Sequence, residues 1–126
     1  NKTTNSTNKI ILKESHVQTA IINYIKLQYP NVLYCASAGG LRTSIKQAKM
    51  MKATGYVRGT PDIAIFESRG KFHSLFLEVK TLKGRPTKEQ LWWRDELNKR
   101  NFVSEIVYGF DEAKIVLDRY LNNQIK

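Results

Sequence analysis

Apolar residues recur along this chain with two different periods, and the switches between them mark its elements. Glu14, Val17, Gln18, Ile21 and Ile25 fall at spacings of three and four, so residues 10–29 are expected to carry a helix with these side chains on one face. Ser15 with Gln18 three residues on makes a capping box, which leaves the helix start near Glu14 open. Pro30-Asn31 ends that helix, and residues 32–36 are short and β-prone. After Gly39-Gly40, residues 43–54 read as a basic helix stopped by Gly55. Two β-rich runs follow, 62–67 and 72–80, separated by Ser68-Arg69-Gly70-Lys71, which is hairpin punctuation. Gly84 to Pro86 make a turn, and Thr87 with Gln90 opens a helix running to about Arg100. Residues 102–108 alternate into another strand, and Asp111 is expected to cap a last amphipathic helix ending near Asn122. The order α-β-α-β-β-α-β-α predicts an α/β (α+β) fold with a small mixed central sheet flanked by helices. Residues 1–9 are polar and low in complexity, so a disordered tail is expected there, with a single domain over 10–126.

Charge changes the picture from fold to function. The 126 residues carry 21 Lys and Arg against 11 Asp and Glu, a net of +10. The excess is local: residues 39–88 hold eleven basic residues against Asp62, Glu67 and Glu78, a net of +8. Residues 89–126 hold six basic and seven acidic residues, a net of −1. A polyanion such as nucleic acid would be drawn to the middle third, whereas an evenly solvated lysine face would not be so concentrated. A single cysteine, Cys35, excludes an internal disulfide and a cysteine-rich zinc site. With no apolar run of membrane-spanning length and no signal-peptide core, an intracellular, cytoplasmic domain without a membrane partner is expected.

Strand geometry makes a sharper statement about the hairpin. If its turn centres on Gly70, paired positions sum to 140 and Asp62 lies opposite Glu78. Even-numbered positions then share one face, Asp62, Ala64, Phe66, Phe76, Glu78 and Lys80, while Ile63, Ile65, Leu75, Leu77 and Val79 form an aliphatic core face. A two-residue turn at Arg69-Gly70 would shift the pairing by one and separate the acids. Two facing carboxylates repel, and a divalent cation is the simplest way to keep both ionised. Two carboxylates with the Val79 carbonyl form an all-oxygen set that suits Mg²⁺ or Mn²⁺ rather than zinc. Lys80, on the same face as Glu78, would position a water and neutralise charge on a phosphate. The competing interpretation is a structural ion pair on an edge strand, which an isolated Glu-x-Lys triplet does not exclude.

In context the sequence resembles the PD-(D/E)XK nuclease superfamily, through Pro61-Asp62 and Glu78-Val79-Lys80 on a predicted hairpin. Within it the chain is most similar to the VRR-NUC (virus-type replication-repair nuclease) family, particularly small stand-alone phage members. The likeness is carried by Glu14-Ser15-His16-Val17-Gln18, Gly59-Thr60-Pro61-Asp62-Ile63, the run from Leu75 to Thr81, and the run from Gly84 to Trp93. Together with the Gly39-Gly40 loop and its basic helix, it spans about residues 12–121. The resemblance implies Asp62 and Glu78 as metal ligands, Lys80 as catalytic lysine, and Glu14 as an acid holding the metal or its water. Glu14 is equally an exposed helix-start acid favoured by the macrodipole. Gln90 matches the family glutamine on the helix after the Glu-x-Lys strand, and also completes the capping box. Gln18 is either a site-lining residue or a cap partner. The implied activity is a Mg²⁺- or Mn²⁺-dependent endodeoxyribonuclease acting in repair on branched DNA such as Holliday junctions, as a homodimer. The rival is a non-catalytic basic DNA-binding module of the same fold.

Arg42, Lys46, Lys49, Lys52 and Arg58 are expected to contact phosphates, with Lys83 and Arg85 beside them. His16 and His73 lack partners at metal spacing and are assigned surface or packing roles. Cys35 is expected as a small core residue. Gly39-Gly40 lacks the Lys-Ser/Thr of a nucleotide-binding loop, so no nucleotide cofactor is expected. Of the adjacent tryptophans, Trp93 is expected in the core and Trp92 free for a partner or a base.

Overall fold

Helices and strands follow one another in the expected order: α1 (Glu14–Gln28), β1 (Tyr34–Ala36), α2 (Ile45–Ala53), β2 (Ile63–Ile65), β3 (Leu75–Lys80), α3 (Lys88–Lys99), β4 (Val103–Tyr108) and α4 (Phe110–Leu121). The computed structural model describes residues 13–37 and 44–123. The expected tail at 1–9, the Gly39-Gly40 loop and Arg42 therefore lie outside the described residues.

The strands form a four-stranded mixed sheet in the order β1-β2-β3-β4. β1, β2 and β3 pair antiparallel, whereas β3 and β4 run parallel and so need a crossover, which α3 supplies. The aliphatic face is as the alternation predicts: Ile63, Ile65, Leu75, Leu77 and Val79 are all fully buried. They share one core with Val17, Ile21 and Ile25 of α1 and with Ala113, Leu117, Tyr120 and Leu121 of α4. Burying each large apolar side chain is worth about 1.5–3 kcal/mol, which fixes α1 and α4 on this face. Between these two helices, Tyr24 and Tyr29 both donate to Asp118 Oδ1, at 2.6 and 2.7 Å. Burial and the Asp118 carboxylate push the Tyr29 phenol up to about 12.

The register is the one that sums to 140, with Ile63↔Leu77, Ala64↔Phe76 and Ile65↔Leu75. Its turn is not where that register implies. Arg69 and Phe72 exchange two backbone hydrogen bonds of 3.0 and 2.9 Å around Gly70-Lys71. Gly70, at φ +57°, supplies the left-handed conformation that a first turn position of this kind needs. The tip is thus offset by one residue from the strand pairing, and the residues between absorb the difference outside the ladder. Both strands are accordingly shorter than the apolar runs, which continue into this irregular stretch.

Three local expectations are corrected. Ser15 does not cap α1: the helix begins at Glu14 with Lys13 as N-cap, and the Ser15 carbonyl accepts from the Thr19 hydroxyl inside it. Asp111 lies in the first turn of α4, where Gly109 at φ +88° takes the cap position. There the Glu112 carboxylate accepts the Tyr108 N–H at 3.1 Å instead. Cys35 is exposed rather than in the core, because its register with Ala64 puts it on the opposite face of the sheet.

Candidate active site

Asp62 stands one residue before β2, at the end where the β2–β3 pairing stops. Its carbonyl accepts the Ser37 N–H at 2.8 Å, which ties its main chain to the end of β1. Its Oδ2 accepts the Val79 N–H at 2.7 Å. Gly109 N–H donates to the Lys80 carbonyl at 2.9 Å, so the Lys80 main chain faces β4. By alternation, the Val79 N–H and carbonyl face the β2 side, beyond Ile63, the first β2 residue. Asp62 thus finishes the ladder with a side chain and lies beside the Val79 carbonyl.

Glu78 and Lys80 emerge from β3 on the opposite face from Val79 and are 4% and 6% exposed. Glu78 Oε2 accepts from Gln90 Nε2 at 3.0 Å and lies 3.8 Å from Lys80 Nζ. Glu78 Oε1 is buried with no hydrogen-bond partner. Burial first, and then the facing Asp62 carboxylate, push the Glu78 carboxyl up to about 9, with Lys80 opposing the shift. A buried acid facing another acid is a costly arrangement unless the negative charge has a partner. Lys80 Nζ extends from Glu78 to Glu14 Oε2, 3.4 Å away at the start of α1. Glu14 itself is half-exposed, so both assignments made for it from sequence meet in one geometry: a helix-start acid that also reaches the site.

Gln90 serves two functions at once. Its Oε1 accepts the Thr87 N–H at 2.9 Å, completing the capping box, while its Nε2 holds Glu78. The cap therefore fixes the rotamer that presents the amide to the acid. Gly59, at φ +95°, brings the chain leading to Asp62 against this same helix. A Cβ there would lie 2.7 Å from Glu89 Cβ and 2.9 Å from the Glu89 carbonyl carbon.

A cavity of about 370 Å³ opens over this cluster, lined by Glu14, Asp62, Glu78 and Gln90 together with Lys52, Tyr56, Arg58, Gly59, Thr60 and Thr87. A neighbouring groove, lined by Gln18 as well as Glu14 and Asp62, places Gln18 beside the site rather than at a cap. Of the basic residues expected to meet phosphates, Lys52 and Arg58 line the cavity. Lys46 and Lys49 are exposed on α2, and Lys83 and Arg85 are exposed between β3 and α3, outside the cavity lining. Tyr56, Thr60 and Thr87 are lining residues that sequence reasoning missed. Only the Gly59-Thr60-Pro61-Asp62 run hinted at Thr60. Among the described residues, no three His, Cys, Asp or Glu side chains form a metal cage by themselves. No helix among them is long and apolar enough to cross a membrane.

A hairpin that carries Asp62 against Glu78-x-Lys80, with a crossover helix returning Gln90 to the same acid, defines a nuclease-type fold. Comparison with known proteins agrees. The family model described as the VRR-NUC domain matches residues 3–111, and the chain belongs to that family. A solved structure described as "VRR_NUC domain protein" is similar to it, with a TM-score of 0.73 and 25% identity over 90% of this chain and 92% of that one. No protein with a curated description matches.

Proposed function

We propose that this chain is a metal-dependent endonuclease that hydrolyses phosphodiester bonds in branched DNA, four-way junctions included, and that it works as a homodimer. The carrying observation is the orphaned Glu78 Oε1 of a buried acid facing Asp62. The donor set fits a hard divalent cation: two carboxylates and the adjacent Val79 carbonyl, all oxygen, with Glu14 on the rim. Asp62, Glu78 and the Val79 carbonyl would hold Mg²⁺ or Mn²⁺, with Glu14 as a further acid ligand or water holder. When bound, the ion supplies a charge that offsets developing phosphate charge and acidifies a water.

The chain's own groups do the rest. Gln90 orients the Glu78 carboxylate, and its hold is fixed by the cap on α3. Lys80, desolvated between Glu78 and Glu14, presents an ammonium to the attacking water and to the phosphate oxygens. Lys52 and Arg58 on the cavity wall would receive the flanking phosphates. Lys46, Lys49, Lys83 and Arg85, with Arg42, would extend that contact along the backbone. A two-fold dimer would give two sites for symmetric cuts.

The test is incubation of labelled four-way junction, flap and linear duplex with Mg²⁺, Mn²⁺ or EDTA, beside Asp62→Ala and Lys80→Ala. Cleavage that needs metal and is lost in both variants is expected. No cleavage under either metal, or equal cleavage by the variants, overturns the nuclease assignment. Flaps cut with junctions untouched would retain the chemistry and remove the junction preference. Sedimentation of the intact protein checks the dimer.

A further inference from the structure

Thr60 lines the active-site cavity and also a second hollow of about 300 Å³ on the α3 side of the sheet. That is the lower end of ligand-sized pockets. Its floor is a row across three strands, where Cys35 pairs with Ala64 and Ala64 with Phe76. The small side chains of Cys35 and Ala64 leave the space, and Phe66, Trp93 and Leu97 line it further. Trp93 has its indole N–H satisfied by the Arg58 carbonyl at 3.2 Å, so its ring carries no unmet polar group. Among the described residues, no charged side chain lines this hollow. An open apolar hollow of this kind, with Phe66 47% exposed at it, is unfavourable in water unless something covers it.

We propose that this hollow is a subsite for an unstacked nucleobase, from the nucleotide whose phosphate lies at Asp62 and Glu78. The assignment rests on the nuclease function proposed above. Three observations lead to it. The hollow and the site cavity meet at Thr60, and Thr60 and Asp62 are two residues apart, within about 7 Å along the chain. A separation of that order is within the phosphate-to-base reach of one nucleotide. Aromatic walls stack on the π-face that every base possesses. The lining is aromatic and aliphatic apart from Cys35 and the hydroxyls of Ser37 and Thr60, so the subsite takes a base chiefly by stacking and selects for an unpaired nucleotide, since a base held in a duplex stack does not reach it. Selection of flaps and junction branch points over continuous duplex then follows from the site itself.

Cys35, the single cysteine, is exposed on the floor of the hollow and reports its occupancy. The experiment measures the rate of Cys35 maleimide labelling on the intact protein in EDTA, where no cutting is expected. It compares a saturating single-stranded oligonucleotide with an equally long abasic strand, binding being followed by anisotropy. The normal strand is expected to slow labelling about tenfold, and the abasic strand to leave it at the free rate. Equal slowing by both strands, or none by either while bound, overturns the subsite. Slowing that tracks protein concentration without DNA also overturns it, and assigns the hollow to a second copy. Ala64→Leu fills the floor and is expected to erase the affinity advantage of the normal strand while leaving abasic binding unchanged. If that advantage survives, the base lies elsewhere. The labelling readout needs no catalysis, so absent cleavage with intact base-dependent protection would sink the nuclease proposal alone.

Discussion

The Val79 amide donates to the Asp62 carboxylate over 2.7 Å, so the residue that finishes the β2–β3 ladder is also the acid facing Glu78. Structural and chemical roles are therefore separable by choice of substitution. Asp62→Asn keeps an oxygen for the Val79 N–H and removes the charge that repels Glu78. It is expected to melt at or above the wild-type temperature in EDTA while losing metal-dependent cleavage. Asp62→Ala strands the amide and should cost about 1–3 kcal/mol in urea unfolding besides losing activity.

Lys80 sits between two acids, 3.4 Å from Glu14 and 3.8 Å from Glu78. Removing a preorganised charge of this type costs about 10²–10³ in rate. Lys80→Met should show at least that loss under saturating Mg²⁺. Lys80→Arg should not restore it, because a planar guanidinium does not fit where a compact ammonium is enclosed. Wild-type rates in Lys80→Arg would show that only the charge matters.

Gln90 joins a helix cap to the Glu78 carboxylate, so disturbing either end should register at the other. Thr87→Ala removes the hydroxyl that accepts the Gln90 N–H at 3.1 Å. It should cost about 1 kcal/mol of stability and lower the cleavage rate by loosening the Gln90 rotamer. Gln90→Glu retains the cap acceptor but turns a donor into a third acid at Glu78. Cleavage should fall further than in Thr87→Ala, while thermal stability in EDTA changes less than the activity does.

Much of this geometry was legible in the sequence. Alternation in 62–67 and 72–80 was enough to give the faces and the 140 register, because a one-residue slip would put Ile63 and Ile65 on the opposite face from Leu75, Leu77 and Val79 and expose one of the two sets. The tip was not legible, since Gly70-Lys71 closes a turn that local backbone preference sets independently of the strands. Asp111 is a good cap residue, but Gly109 adopts the positive φ that the tight β4–α4 connection needs, and so takes the cap. The Glu14–Lys80 contact spans 66 positions and carries no local signal. The Thr87-Gln90 box was visible and the family likeness marked Gln90 as a site residue, whereas its partner, Glu78 Oε2, became visible only once α3 was placed over β3.

Asp118 accepts from two tyrosines and from Lys114, joining α1 to α4. Burial alone would raise its carboxyl, but the hydrogen bonds from Tyr24, Tyr29 and Lys114 hold it below the usual carboxylate value. A depressed carboxylate contributes stability above its unfolded value, near 4, and loses it as pH falls through the lower folded value. Asp118→Asn should therefore lose part of the acid-side slope of a pH–stability curve. Tyr29, pushed up to about 12, works in the opposite sense: its contribution is complete below about 10 and disappears by about 12. Tyr29→Phe should lose part of the alkaline fall in melting temperature across that window, the rest coming from Tyr24 and Tyr120, whose phenols are also raised.

Gly59 leaves no room for one more carbon between the Asp62 segment and the first turn of α3. The aperture between the strand that carries Glu78 and the helix that steadies it is thus set by an absent atom rather than by a charged one. A single methyl at this position is a wedge: it would spread the two halves of the site while leaving every acid, amine and amide in the chain. Under the proposed nuclease function, cleavage would in that way be detuned independently of charge, yielding a form expected to attract nucleic acid but leave it uncut.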